Sequence, residues 1–215
     1  GASKTMMEIG GEPVLSRTLR AFENAACISK IVIVARACDF DAIQKASAFV
    51  TKPLTITAGG KERQDSVSNG AALCGDAEYI AVHDAARPFI TPEEIETVCA
   101  DAEKYGAATL AVPVKDTIKV AAADGTVCAT PERSTLRAIQ TPQVFRAELL
   151  RRAYETEYRP EFTDDASVVE LSGEAVFLCE GERANLKITT PEDTVIAEAL
   201  LADREETHET DGENI

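Results

Sequence analysis

Apolar residues along this chain recur in two rhythms that alternate. A continuous apolar run at 31–35 (IVIVA) has the make-up of a strand covered on both faces, and 108–112 is a second apolar strand. Between such runs the spacing turns helical. Val14, Leu15, Leu19 and Phe22 recur at helical intervals after the turn Gly10-Gly11-Glu12-Pro13, with Pro13 suited to a first helical position. Residues 39–49 read as a second helix and 54–57 as a short strand. Gly59-Gly60 then leads into a third helix opening at Glu62-Arg63-Gln64-Asp65-Ser66-Val67. A β-branched and aromatic strand is predicted at 79–82. Thr91-Pro92-Glu93-Glu94 predicts a capping box with proline in the first turn, starting a helix to about Tyr105. Pro113 closes the 108–112 strand.

The second half repeats the alternation after an interruption. Residues 146–158 predict a helix, and Thr163-Asp164-Asp165-Ala166-Ser167 caps a short one through Leu171. Strands are predicted at 175–179 and, more briefly, 186–189. Thr190-Pro191-Glu192-Asp193 starts a last helix that runs into the C-terminal tail. This order predicts a three-layer α/β fold on a mostly parallel, Rossmann-like sheet. The interruption lies between Lys115 and Gln140. There Ile118-Lys119-Val120 and Thr126-Val127-Cys128 flank Ala123-Asp124-Gly125, a hairpin signal. A hairpin arm (about 115–140) projecting from an α/β core has to bury itself somewhere, and a second subunit is a common answer. The expected organisation is one domain over 1–202 and a solvated tail over 203–215, which carries six acids and one arginine. A doubly wound sheet commonly opens on its central strand and a glycine-rich phosphate loop. Neither precedes Pro13, so an upstream segment is expected.

Charge and composition narrow the function. With 22 basic and 37 acidic residues the formal net charge is −15, which argues against a general nucleic-acid or anionic-membrane surface but leaves room for a local phosphate pocket. No apolar run is long enough to span a membrane. The six cysteines are scattered without a CxxC pair, and read as buried free thiols of a reducing compartment. His83 and His208 are the only histidines; one follows an apolar strand and the other sits in the acidic tail. A histidine-based triad is therefore not expected, and His83 reads as a satisfied structural residue.

The richest chemistry lies where the 79–82 strand breaks into His83-Asp84-Ala85-Ala86-Arg87-Pro88. Pro88 disfavours helix at Arg87, marking an exit into a loop. In open α/β sheets ligands sit beyond the carboxyl ends of strands. Asp84 there can hold a divalent metal or a sugar hydroxyl, the two alanines allow backbone to approach a ligand, and Arg87 offers a fork suited to phosphate. On these residues alone, a strand-end turn with an exposed Asp–Arg pair fits equally. Lys4 alone reads as a terminal lysine, and Lys187, between two apolar residues, reads equally as a solvated strand lysine.

Six segments taken together carry more. They are Val82-His83-Asp84-Ala85-Ala86-Arg87-Pro88, Gly59-Gly60-Lys61-Glu62-Arg63-Gln64-Asp65-Ser66-Val67, Asp116-Thr117-Ile118-Lys119, Gln140-Thr141-Pro142-Gln143, Thr163-Asp164-Asp165-Ala166-Ser167 and Asn185-Leu186-Lys187-Ile188-Thr189-Thr190-Pro191-Glu192-Asp193. In this set, from about Lys4 to Ala199, the chain resembles the 2-C-methyl-D-erythritol 4-phosphate cytidylyltransferase family of the non-mevalonate route to isoprenoids. The resemblance implies transfer of CMP from CTP to methylerythritol phosphate with release of pyrophosphate, aided by Mg²⁺ or another divalent cation. By the same resemblance Lys4 and Lys187 are expected to act on the reacting phosphates. Gly59, Gly60, Ser66, Asp84 and Ala85 would contact CTP, with Asp84 also at the metal. Arg87, Thr141 and Thr163 would line the methylerythritol phosphate pocket, and Thr117 and Arg133 would reach it from the arm of a partner subunit. A homodimeric cytoplasmic enzyme, or one of the plastid stroma in a plant or alga, is implied.

Two departures stand out. Thr5-Met6 occupy positions where many relatives carry glutamine and an aromatic residue. The family's glycine-rich loop is also absent, so an upstream segment of about 20 residues is expected, enough for one strand and its loop. A ribitol-5-phosphate cytidylyltransferase is the nearest alternative, and an inert nucleotide-binding protein a second. A nucleotide-sugar glycosyltransferase on a similar sheet is a third reading.

Overall fold

The computed structural model describes residues 4–212 apart from 158 and 160. After a 3₁₀ turn at Lys4–Met6, strands β1 (Glu8–Ile9) and β2 (Glu12–Pro13) form a small hairpin, and α1 (Val14–Asn24) follows. Its helical face buries Val14, Leu15, Leu19 and Phe22, the four residues whose spacing predicts it. Pro13 sits one residue earlier than expected, at the N-cap. β3 (Ile31–Ala35) pairs in parallel with β4 (Leu54–Ala58), with α2 (Phe40–Ala46) between them. Next come α3 (Arg63–Ala72), β5 (Tyr79–Val82), α4 (Pro92–Tyr105) and β6 (Ala107–Pro113). The capping box at Thr91 and Glu94 forms in full, and α4 ends on Gly106 at φ 89°, a left-handed cap that favours glycine.

Beyond β6 the predicted arm is present as β7 (Val120–Ala121) and β8 (Val127–Ala129), an antiparallel pair. The remaining elements are β9 (Arg137–Arg146), α5 (Ala147–Ala153), α6 (Asp165–Leu171), β10 (Phe177–Glu180) and α7 (Pro191–Gly212). The main sheet has the order β10-β6-β9-β5. β10 runs parallel to β6, and β9 runs antiparallel to both β6 and β5, so β5, β6 and β10 share one direction and β9 alone makes the sheet mixed. The layered α/β architecture stands.

β9 is absent from the sequence pattern for a physical reason. Its centre holds Gln140, Thr141 and Gln143, all buried, around Pro142, and such a run breaks alternation. The register between β6 and β9 shifts at this point, between Thr109 and Ala111, so the missing N–H of Pro142 falls where the ladder is already irregular. α5 is shorter than its expected 146–158. It closes in i→i+3 bonds from Glu155 and Thr156, and Gln64 caps the Thr156 carbonyl at 3.0 Å. Residues 186–189 form no strand. They run as irregular backbone beside the 84–87 loop, where the Ile188 N–H donates to the Ala86 carbonyl at 2.8 Å. α7 stays helical to Gly212, well into the expected tail; 213–215 lie outside the described residues.

The cysteines are free, but only Cys99 and Cys179 are buried; Cys27, Cys38 and Cys128 are exposed, against the expectation of buried thiols. None of the described helices is long and apolar enough to cross a membrane.

Three apolar clusters hold the elements. The largest joins α1, β3, α4 and the centre of β6; the second seats α5 and α6 on Ile80 and Phe145. A third, smaller one gathers Ile9, Val14, Phe89, Ile188 and Ala197, fastening residues 186–188 between the amino-terminal hairpin and α7. Between β3 and β5 the sheet is split by a cavity of about 520 Å³. Consecutive residues on both sides line it, 27–34 and 79–85. Alternate side chains of a strand face opposite ways, so an unbroken run of lining residues means that strand edges, not one face, border the cavity.

Candidate active site

Residues 83–88 leave β5 in a turn closed by the Arg87 N–H donating to the Asp84 carbonyl at 3.0 Å. The Asp84 side chain meets the Lys187 ammonium at 2.8 Å, with the Arg87 Nε at 3.8 Å. Lys187 faces this way because Leu186 and Ile188, its neighbours, pack into the third apolar cluster. Burial alone would raise the Asp84 pKa. The hydrogen bond and charge of Lys187, with Arg63 and Arg87 further off, more than offset it, and the carboxyl titrates below its ordinary range. A cationic patch around one carboxylate thus sits in a chain of net charge −15.

Thr141 and His83 support the turn from beneath. The Asp84 N–H donates to Thr141 Oγ1 at 3.0 Å, and the same hydroxyl lies 3.0 Å from His83 Nδ1. His83 Nε2 lies 3.4 Å from the Arg87 carbonyl, which can only accept. In a neutral imidazole this places the proton on Nε2 and lets Nδ1 take the Thr141 proton. Burial drives the His83 pKa down to about 4, in keeping with this tautomer. Thr141 is buried with its proton committed to His83, so it serves the turn's backbone first. Asn185, fully buried, donates to the Thr141 carbonyl at 3.0 Å, and its own carbonyl accepts from Arg87 Nη1 at 2.7 Å. Arg87 is consequently tucked in, with only 11% of its side chain exposed, rather than presenting an open fork.

A second turn faces the same cavity mouth, which Arg63, Ser66, Asp84 and Ala85 all line. Glu62 and Asp65 close a capping box at the start of α3, and Ser66 Oγ accepts the Gly60 N–H at 3.0 Å. The glycines are required by contact. A Cβ on Gly60 would lie 2.1 Å from Asp65 Cβ, and one on Gly59 2.8 Å from Ser66 Oγ.

The structure thus joins Asp84, Ala85, Arg87, Thr141 and Lys187 in one bonded cluster and brings Ser66, with Gly59 and Gly60, to its rim. Lys4 is held nearby in sequence terms only: its ammonium donates to the carbonyl of Thr189, two residues beyond Lys187. Thr163 is exposed, just ahead of the Asp164 cap of α6. Thr117 and Arg133 are exposed on the arm, where Arg133 donates to the Lys115 carbonyl at 3.0 Å rather than to the cluster. Among the described residues no group of three His, Cys, Asp or Glu side chains is placed to hold a metal. Asp84 offers a single hard oxygen donor instead. His83, Asn185, Gln143 and the pair Arg63–Asp165 also build the site. They stand inside recognisable segments, but nothing local in the sequence marks which distant partner each one takes.

A family model described as 2-C-methyl-D-erythritol 4-phosphate cytidylyltransferase matches residues 1–203. Enzymes of that name from Bacillus cereus and Caldanaerobacter subterraneus are 44% and 43% identical, over 94% and 93% of this chain and 90% of each relative. Among solved structures, the 4-diphosphocytidyl-2C-methyl-D-erythritol synthase of Anaerococcus prevotii superposes with a TM-score of 0.87 at 32% identity, covering 94% of this chain and 91% of its own. The 2-C-methyl-D-erythritol 4-phosphate cytidylyltransferase of Thermus thermophilus gives 0.74 at 31%, covering 93% and 94%.

Proposed function

The chain belongs to the 2-C-methyl-D-erythritol 4-phosphate cytidylyltransferase family, and from that premise we propose how its own residues carry out the transfer of CMP from CTP to methylerythritol phosphate. A phosphate oxygen of the acceptor forms a bond to the α-phosphorus. The bond from that phosphorus to the bridging oxygen breaks, and pyrophosphate leaves with the electron pair. Such a reaction needs alignment and charge neutralisation more than covalent help from the protein.

Lys187 and Lys4 act on the reacting phosphates. The observation that carries this reading is the Lys187–Asp84 contact at 2.8 Å, flanked by Arg63 and Arg87 at a strand's carboxyl end. Gly59, Gly60 and Ser66 receive the cytidine on a turn whose glycines let it pack closely against the start of α3. Arg87, Thr141 and Thr163 bound the acceptor side. Asp84 fits Mg²⁺, an ion commonly held by one or two carboxylates with the rest of its shell from phosphates and water. When bound, the ion supplies neutralisation of triphosphate charge.

Two further features belong to the same proposal. The arm exposes Ile118, Val120 and Val127, and an isolated two-stranded hairpin is marginal in water. Packed on a second copy, it would bury these and carry Thr117 and Arg133 toward the partner's acceptor pocket. The expected upstream strand, laid parallel to β5 in the cavity between β3 and β5, would pair with both edges and deliver its loop to the Asp84 end. The test is pyrophosphate release from CTP by the full-length protein, with methylerythritol phosphate and ribitol 5-phosphate compared. Release with the former alone supports the reading. Release with ribitol 5-phosphate redirects it, and release with neither overturns it.

A further inference from the structure

Asp165 opens α6 with no solvent exposure, yet both of its carboxyl oxygens are engaged. Arg63, the first residue of α3, grips it with two parallel hydrogen bonds, Nη1 to Oδ1 at 2.9 Å and Nη2 to Oδ2 at 2.6 Å. The Tyr154 hydroxyl, just beyond α5, donates to the same Oδ1. Behind them Gln143 of β9, buried completely, accepts the N–H groups of Asp165 and Ala166 at 3.1 and 2.9 Å. It also donates to Asp164 Oδ2 at 2.8 Å. Asp164 caps α6 through the Ser167 N–H at 3.0 Å.

This ring ties together two turns that the proposed function assigns to different substrates. Arg63 stands three residues from both Gly60 and Ser66, on the nucleotide side. Asp165 stands two residues from Thr163, on the acceptor side. Gln143 lies two residues from Thr141 on the strand beneath both. Arg63 keeps 42% of its side chain exposed while Asp165 keeps none, so the carboxylate is the anchor and the arginine the reaching partner. The guanidinium also lies close enough to Asp84 for each charge to act on the other. Burial works against the Arg63 charge, and the Asp165 carboxylate overrides it, keeping the guanidinium more firmly protonated than usual. Burying an ion pair yields little net stability once desolvation is counted. What a bidentate pair supplies is a fixed distance and orientation.

Resting on the cytidylyltransferase reading, we infer that Arg63 and Asp165 are a positioning pair that clamps the Gly59–Ser66 turn against the Thr163–Asp165 turn. The clamp sets the separation of the two substrates and keeps Arg63 beside Asp84. Without Asp165 the arginine is drawn to Asp84 in competition with Lys187, and the turns separate.

The test compares Asp165→Asn and Arg63→Lys in the full-length protein. The second keeps the charge but not the fork, and its partly exposed site makes it the variant less prone to misfold. Arg152→Ala, which breaks an exposed ion pair with Glu174, is the control. The clamp predicts that KM rises about tenfold for both CTP and methylerythritol phosphate in either variant, and for neither in the control. Amide hydrogen exchange without substrate should quicken in residues 60–66 on Asp165→Asn, on the far side of the pair. Unchanged KM values, or a rise for one substrate only, overturn the clamp even if the melting temperature falls. Should the wild type turn over neither substrate, the functional reading fails, and the exchange measurement alone still decides whether the two turns are tied.

Discussion

Lys187 points at Asp84 because its two neighbours are spoken for, Leu186 and Ile188 being held in an apolar cluster with Ile9, Val14 and Phe89. A lysine presented in this way is fixed by its flanks, and removing its ammonium leaves the surrounding packing in place. Lys187→Ala should therefore lower kcat by roughly 10²–10³-fold, the usual cost of deleting one group that stabilises developing charge. Steady-state kinetics checks it, with circular dichroism showing an unchanged fold. A variant with wild-type kcat would remove Lys187 from the reacting phosphates. His83 makes a different prediction. Its pKa is lowered from 6.5 to about 4 by burial, so the unfolded chain binds the proton more readily than the folded one. The stabilisation is complete above pH 6.5 and is lost as pH falls from there to about 4, in total about 3 kcal/mol. Imidazole ¹⁵N spectra should show one histidine neutral with its proton on Nε2 at pH 5, a signal missing from His83→Gln. That variant should also lose part of the acid-side fall in melting temperature.

At the level of elements, the proposed shared site can be tested at the arm. Val127 is 60% exposed and Val120 46%, on a pair of strands of three and two residues that no other described strand extends. Replacing both with aspartate should convert a dimer to a monomer by light scattering and raise KM for methylerythritol phosphate far more than for CTP. A wild-type protein that is monomeric at working concentration would refute the shared site. This hairpin was legible in the sequence because Asp124-Gly125 advertises itself locally, as do the Thr91 capping box and the IVIVA strand. β9 was not. Gln140, Thr141 and Gln143 are polar yet buried because each finds a partner from a distant segment: Glu182 for Gln140, His83 for Thr141, Asp164 for Gln143. Alternation records which residues avoid water, and it fails where burial is achieved by hydrogen bonding. The strand that fails the pattern is also the one that floors the site. Likewise Asp84, Lys187 and the glycine turn could be picked out through the resemblance of their segments, whereas the Arg63–Asp165 pair spans 102 positions and leaves no local trace.

For the molecule as a whole, charge and sheet continuity point the same way. A chain of net charge −15 repels anions at a distance, so a polyanionic substrate must be drawn by a local field. Arg63, Arg87 and Lys187 supply that field around Asp84. Rising salt should therefore weaken the final binding step while also screening the long-range repulsion. The sheet, meanwhile, is divided into β3-β4 and β10-β6-β9-β5, with two strand edges bordering about 520 Å³ of cavity. Unpaired edges facing each other across such a gap leave backbone donors and acceptors without ladder partners. A strand supplied there converts two edges into one continuous sheet. A form of the protein extended at its amino terminus by such a strand should accordingly melt higher than residues 1–215 alone, and a gain of about 3 kcal/mol would appear as roughly 6–12 °C. Equal melting temperatures would mean that the gap between β3 and β5 is closed in some other way.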